Sequence, residues 1–141
     1  IVSEVDKKDT EMNMAINKAN KSFDDFKNVF IENKRTQKYH SFTIKMAFQS
    51  EKYEKEHMWL DNLKFDNNTF IGILCNIPLD KTISYKQGDT IIVDPELVSD
   101  WMYIDKETGI AHGGYTYKVL RGKMSPQEQE TFDKKTGLKF E

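Results

Sequence analysis

The chain has 141 residues, with 21 basic and 23 acidic side chains and a formal net charge of −2. This length suits one domain, residues 1–141, and such a domain buries roughly two-thirds of the surface of its unfolded chain. Nine Phe, six Tyr and two Trp against three Pro exclude a disordered chain, and the balanced charge argues against nucleic acid, whose binders carry a basic surplus.

The first expected element is a long helix over residues 9–33. Met12, Ile16, Ala19, Phe23, Phe26 and Phe30 alternate at spacings of four and three, one stripe down a helix. Asp9 or Thr10 is the candidate N-cap. Such a stripe also suits a dimer seam. Three Phe on it fit a broad sheet face better, so docking on the chain's own sheet is preferred. Oligomeric state is left open.

Residues 38–121 read as a β region. Phe42, Ile44, Met46 and Phe48 alternate with Ser41, Thr43, Lys45 and Ala47, a half-buried strand. Glu51 to Glu56 reads as a charged loop. His57 to Phe65 reads as a second strand, with Trp59 and Leu63 on one face and Met58 and Leu60 on the other. Asp66-Asn67-Asn68 is a turn. Thr69 to Asn76 is a continuous apolar strand, and Gly72 inside it points to a bulge or a close backbone approach. Lys86-Gln87-Gly88-Asp89 turns into a fourth strand, Thr90 to Val93. Asp94-Pro95-Glu96 starts a short helix. Gly114 to Leu120 reads as a fifth strand. Ser125-Pro126-Gln127-Glu128 is a capping box opening a C-terminal helix over 125–136. The expected fold is α+β: a long N-terminal helix on a strongly twisted, partly barrel-like antiparallel sheet of about five strands, closed by a short C-terminal helix.

No phosphate loop, Rossmann fingerprint, nucleophile elbow or His-Glu-x-x-His pair is present. No cofactor and no metal are expected, and no catalytic residue is assigned. One cysteine, Cys75, excludes an intramolecular disulfide. It ends the most apolar run, so a core thiol is preferred over a nucleophile. No apolar run approaches the ~20 residues of a membrane span. The chain begins at Ile1, which fits a bacterial cytoplasmic protein or one exported after removal of an N-terminal signal. The histidines His40, His57 and His112 are far apart in sequence. A site of His57, His112 and Asp100 is the alternative to a binding role. Glu56 and His57 are adjacent, and neighbours on a strand face opposite ways.

The segment Asp94 to Asp105, with Trp101 and Tyr103 flanked by acids, and Gly113-Gly114-Tyr115-Thr116 after it, carries two readings. Aromatic rings beside carboxylates suit a binding surface, and the Gly pair admits a close backbone or ligand. Alternatively Trp101 and Met102 plug the end of a barrel and the Gly pair is a bulge.

The blocks Glu56-His-Met-Trp-Leu60, Phe70 to Pro78, Lys86 to Asp89, Ser99-Asp-Trp-Met-Tyr103 and Gly113 to Leu120 occur in an order that resembles the YegJ-like proteins, a bacterial family of unknown function. The resemblance covers residues 38–126. It implies no catalytic set and no cofactor. It puts weight on Glu56, His57, Trp59, Asn76, Pro78, Asp100, Trp101, Gly114 and Thr116. The expected function is a non-catalytic protein- or ligand-binding module of immunity or interaction type, with a protein partner and no nucleic acid.

Overall fold

The computed structural model describes residues 4–141, with side chains from Thr10 onward. Ile1 to Ser3 lie outside the described part, and since the first helix begins at Glu4, Asp9 and Thr10 fall inside it and neither is its N-cap. Helices α1 (Glu4–Lys21) and α2 (Phe23–Thr36) come first. Strands β1 (Tyr39–Ser50), β2 (Glu54–Asp66), β3 (Thr69–Leu74) and β4 (Thr90–Ile92) follow. A 3-10 turn at Pro95–Leu97 leads into β5 (Val98–Asp105) and β6 (Ile110–Gly113). Helices α3 (Tyr115–Gly122) and α4 (Pro126–Thr136) and a short β7 (Lys139–Phe140) complete the described chain.

The protein is α+β, and the sheet departs from expectation. Among the described residues it has seven strands, ordered β4-β3-β2-β1-β5-β6-β7, and its two edges do not meet. It is therefore an open sheet and not a partial barrel. Its pairs are antiparallel except β6 with β7, which is parallel.

Two elements depart from their local pattern. The expected fifth strand, Gly114 to Leu120, is helix α3. Tyr115, Tyr117 and Val119 alternate like a strand, but three alternations over seven residues also fit two turns of a helix. The strand that joins β1 is instead β5, built from the Trp101 segment. Pattern hides it because nearly every residue is buried, so it does not alternate.

The N-terminal helix is also two helices. Ser22 Oγ donates to Lys18 O at 2.7 Å and Ala19 O at 3.3 Å, the back-bonding that bends helices. The apolar stripe survives the break. Ala19, Phe23 and Phe26 are buried, and the Phe26 ring meets Phe42, Phe70, Trp101 and Tyr103. The stripe thus docks on the chain's own sheet.

In β2, Leu63 joins the core side with Met58 and Leu60, not the Trp59 side. A register shift between Asp61 and Lys64, with Asn62 at φ 47°, turns the strand over. Gly72 lies across from this bulge, where a Cβ would stand 2.9 Å from Leu60 Cβ. Glu54 to Glu56, expected in a loop, begin β2.

Candidate functional site

The Trp101 segment is core. Trp101 is 5 % exposed, and its Nε1 donates to Ala19 O at 3.0 Å and Ser22 Oγ at 3.3 Å. A buried indole needs such a partner. Tyr103 is also buried and stacks on Trp101 and Phe42. These rings face α1 and α2 and present no surface.

Asp100 alternates to the opposite face of β5, where it is wholly buried. Its Oδ1 accepts from Trp101 N at 2.8 Å and Tyr115 N at 3.0 Å. Its Oδ2 accepts from Thr116 N at 2.9 Å and from the Thr116 hydroxyl. The first N–H groups of α3 therefore end on a carboxylate from another strand. Gly114, at φ 65°, stands at the N-cap and has no side chain to do this. The Gly pair does admit a close backbone. Gly113 packs against the Trp101 carbonyl, and Gly114 N donates to it at 2.8 Å.

The β-ladder register extends this face. Trp59, Lys45 and Asp100 are aligned across β2, β1 and β5. Lys45 Nζ donates to Thr116 Oγ1 at 3.2 Å and lies 5.6 Å from the Trp59 ring. Tyr117 stacks on Trp59 at 5.4 Å and touches Phe132 of α4. His57 Nδ1 and Ser99 Oγ are hydrogen-bonded at 2.9 Å, and Ser99 is the extra residue of a bulge between Asp100 and Val98.

Burial disfavours charge along this seam. It pulls the Lys45 ammonium below its ordinary value, with Asp100 opposing. It pushes the Asp100 carboxyl up, against the hydrogen bonds from Thr116 and Trp101 and the charge of Lys45. It pulls His57 down, and Lys45 and Lys55 add to that shift.

His57, Asp100 and His112 do not converge. His112 pairs with Tyr103 and stacks on it at 5.1 Å, on the α1–α2 side of the sheet. His57 alternates away from the buried Met58, so it shares the other side with Asp100. Among the described residues no three His, Cys, Asp or Glu side chains are placed to hold a metal ion. Burial and the neighbouring Asp61 push the Cys75 thiol up to about 11. That leaves it protonated near neutral pH, against the nucleophile reading.

Glu56 and Asn76 act on backbone. Glu56 is buried and accepts from Leu79 N at 2.7 Å and Asp80 N at 3.0 Å. Asn76 Oδ1 accepts from Trp59 N at 2.7 Å. Asp80 in turn accepts from Ser50 Oγ at 2.7 Å, Lys52 N at 3.2 Å and Thr82 N at 2.9 Å. The loop after β3 is thereby tied at several points. It holds out Ile77 and Leu79, each 72 % exposed, and Tyr85 at 46 %. Sequence reasoning misses Lys45, Tyr117 and this loop. Lys45 looks like an ordinary outward lysine of an alternating strand, and only the register across β5 places it beside Asp100.

The chain matches, over residues 9–140, the family described as "Uncharacterized protein conserved in bacteria (DUF2314)". It belongs to that family. It is 31 % identical over 145 aligned positions to the "Putative ankyrin repeat protein NMB1133/NMB1171" of Neisseria meningitidis serogroup B, covering 99 % of this chain and 56 % of that protein. It is 35 % identical over 65 positions to "Uncharacterized protein YegJ" of Escherichia coli K12, covering 46 % of this chain and 40 % of that protein. The chain thus spans about half the length of the curated relatives it matches. The YegJ-like resemblance is upheld. No solved structure matches it. No helix of the described residues is long and apolar enough to cross a membrane.

Proposed function

We propose that this domain is a non-catalytic binding module for a protein partner, and that the partner docks on the loop between β3 and β4. The observation that carries the reading is the pairing of exposure with rigidity. Ile77 and Leu79 are mostly exposed, while the loop backbone beneath them is fixed by Glu56 and Asp80. An apolar contact held in place loses less entropy on binding than a mobile one.

Ile77, Ile83 and Tyr85 line one shallow depression with Lys81 and Lys86. Its one carboxylate, Asp80, is occupied by Ser50 and Thr82. The complementary partner is an apolar segment flanked by acidic residues. The name of the Neisseria relative adds weight, because ankyrin-type repeats build extended binding surfaces.

The test is capture from a bacterial lysate, comparing wild type with a Leu79→Asp variant whose circular dichroism and unfolding midpoint match wild type. A protein held by wild type and lost by the variant supports the reading. Equal recovery of every protein by both forms removes the loop as the docking surface.

A further inference from the structure

We propose that the free edge of β4 takes a further strand, supplied by an extended peptide whose β-branched residues are flanked by lysine or arginine. The proposal does not depend on the loop between β3 and β4 as a docking surface. Among the described residues β4 ends the sheet, with β3 as its one neighbour. Val93 N donates to Phe70 O at 2.9 Å, and Leu74 N donates to Asp89 O at 2.9 Å. These bonds, with the pairing of Gly72 and Ile91, make Asp89, Ile91 and Val93 the residues that bond inward. Antiparallel pairs alternate between bonded and non-bonded. Thr90 and Ile92 therefore turn their backbone N–H and C=O groups outward.

Natural edge strands are blunted by lysine, proline or a bulge. Thr90-Ile91-Ile92 carries none of these, and its register with β3 is unbroken. The opposite edge, β7, carries Lys139. Ile91 points into the core, whereas Ile92 is 70 % exposed on the face turned away from α1 and α2. Ile71 and Ile73, half-buried, pair with Ile92 and Thr90 and continue that apolar strip inward. An added strand covers Ile92 and bonds the two outward residues. β4 has only three residues, so backbone bonds alone hold a partner weakly and its flanks decide which strand binds.

Those flanks are acidic. From Lys86 to Leu97 the chain has Asp89, Asp94 and Glu96 against Lys86 alone. Asp89 and Asp94 stand on either side of β4, and among the described residues neither they nor Glu96 is in an ion pair. Asp89 Oδ2 accepts from Lys86 N at 2.9 Å and Asp94 Oδ1 from Glu96 N at 3.0 Å, so both carboxylates are held beside the edge. A second copy paired antiparallel about Ile91 would bring Asp89 of one copy close to Asp94 of the other, and like charges oppose that arrangement. A peptide with a cation facing each aspartate is favoured instead. Run antiparallel, it carries two basic residues five positions apart, with a β-branched residue opposite Ile92.

The experiment adds the peptide acetyl-Lys-Thr-Val-Thr-Val-Lys-amide to the full chain and follows amide hydrogen exchange by NMR. At saturating peptide the Thr90 and Ile92 amides are expected to slow several-fold, while Ile91, already bonded to β3, stays unchanged. The same peptide with Glu in place of each Lys should bind several-fold more weakly. So should the Lys peptide to an Asp89→Asn, Asp94→Asn double variant, whose amide oxygens can keep both turn hydrogen bonds. Leu79→Asp should leave the protection intact, which separates this edge from the loop. No slowing at Thr90 and Ile92 would overturn the proposal, as would equal slowing by the Lys and Glu peptides. Protection of both amides without peptide, rising with protein concentration, would assign the edge to a second copy and overturn it as well.

Discussion

Asp100 and Thr116 are joined twice, through the backbone N–H at 2.9 Å and through the side-chain hydroxyl, so that one strand residue caps a helix sixteen positions later. The helix start has Gly at its N-cap and takes its acceptor from the middle of the sheet. Removing the carboxylate strands several buried donors at once. Asp100→Ala is expected to cost about 3 kcal/mol, the sum of a lost cap and an unsatisfied buried N–H. Asp100→Asn should cost nearly as much. Both oxygens accept, so an amide nitrogen would face a donor on either side. Urea unfolding checks both, and an Asn variant as stable as wild type would show that the second oxygen is not needed.

The parts of this fold legible in sequence are those whose periodicity is local. The Phe23–Phe26–Phe30 stripe, the β1 alternation and the Ser125–Glu128 capping box all appear where pattern puts them. What pattern misses is set by distant partners. Tyr115 to Leu120 become helical because Asp100 waits at their start, which no window around residue 115 contains. Trp101 admits both a binding and a core reading until Ala19 and Ser22, far upstream, are seen to take its N–H. Lys45 is informative only beside Trp59 and Asp100, and that alignment is a property of register across three strands. Glu56 and Asp100 stand out in the sequence blocks and are under constraint in the fold: the Glu56 carboxylate accepts from the N–H groups of Leu79 and Asp80, and that of Asp100 from the N–H groups of Trp101, Tyr115 and Thr116 and the Thr116 hydroxyl.

Acid sensitivity should be traceable to Asp80. The Ser50 hydroxyl, then the Thr82 side chain and backbone and the Lys52 N–H, hold its carboxyl well below the usual 3.8. The folded value is depressed, so the stability it contributes is complete above 3.8 and is lost as pH falls below that toward the folded value. Asp80→Asn should therefore be less stable than wild type at neutral pH. The gap between the two should narrow as pH drops below about 3.8. A gap of constant size across an acid unfolding series would assign the cost to packing instead.

His57 should report on Lys45. Its folded value is lowered from 6.5, first by burial and then by the Lys45 and Lys55 charges. The neutral ring is favoured in the fold, so its share of stability is full above 6.5 and declines as pH falls through that value. Replacing the ammonium in Lys45→Gln removes one cause and leaves burial. The His57 titration, followed by NMR of the imidazole protons, should move up but remain below 6.5. An unmoved titration would mean that the two side chains are not electrostatic neighbours across β1 and β2, and the shared-face geometry would be wrong.

Two glycines separate backbone strain from collision. Gly88 has φ +93°, and a Cβ added there would meet nothing within 4 Å, whereas Gly113 has φ +82° and would drive an added Cβ into the Trp101 carbonyl and ring. Gly88→Ala should cost about 1–2 kcal/mol, the left-handed penalty alone. Gly113→Ala adds overpacking against Trp101, which by itself costs about 1–3 kcal/mol, and the total should approach 4 kcal/mol on the order of those two terms together. Because β6 ends at Gly113 and α3 begins two residues later, relief of the clash must displace either the β5–β6 pairing or the Asp100 cap. Thermal unfolding of the two variants distinguishes these contributions: a Gly113→Ala midpoint no lower than that of Gly88→Ala would mean that Trp101 yields to the added methyl, and that the close approach at the Gly pair does not fix where α3 starts.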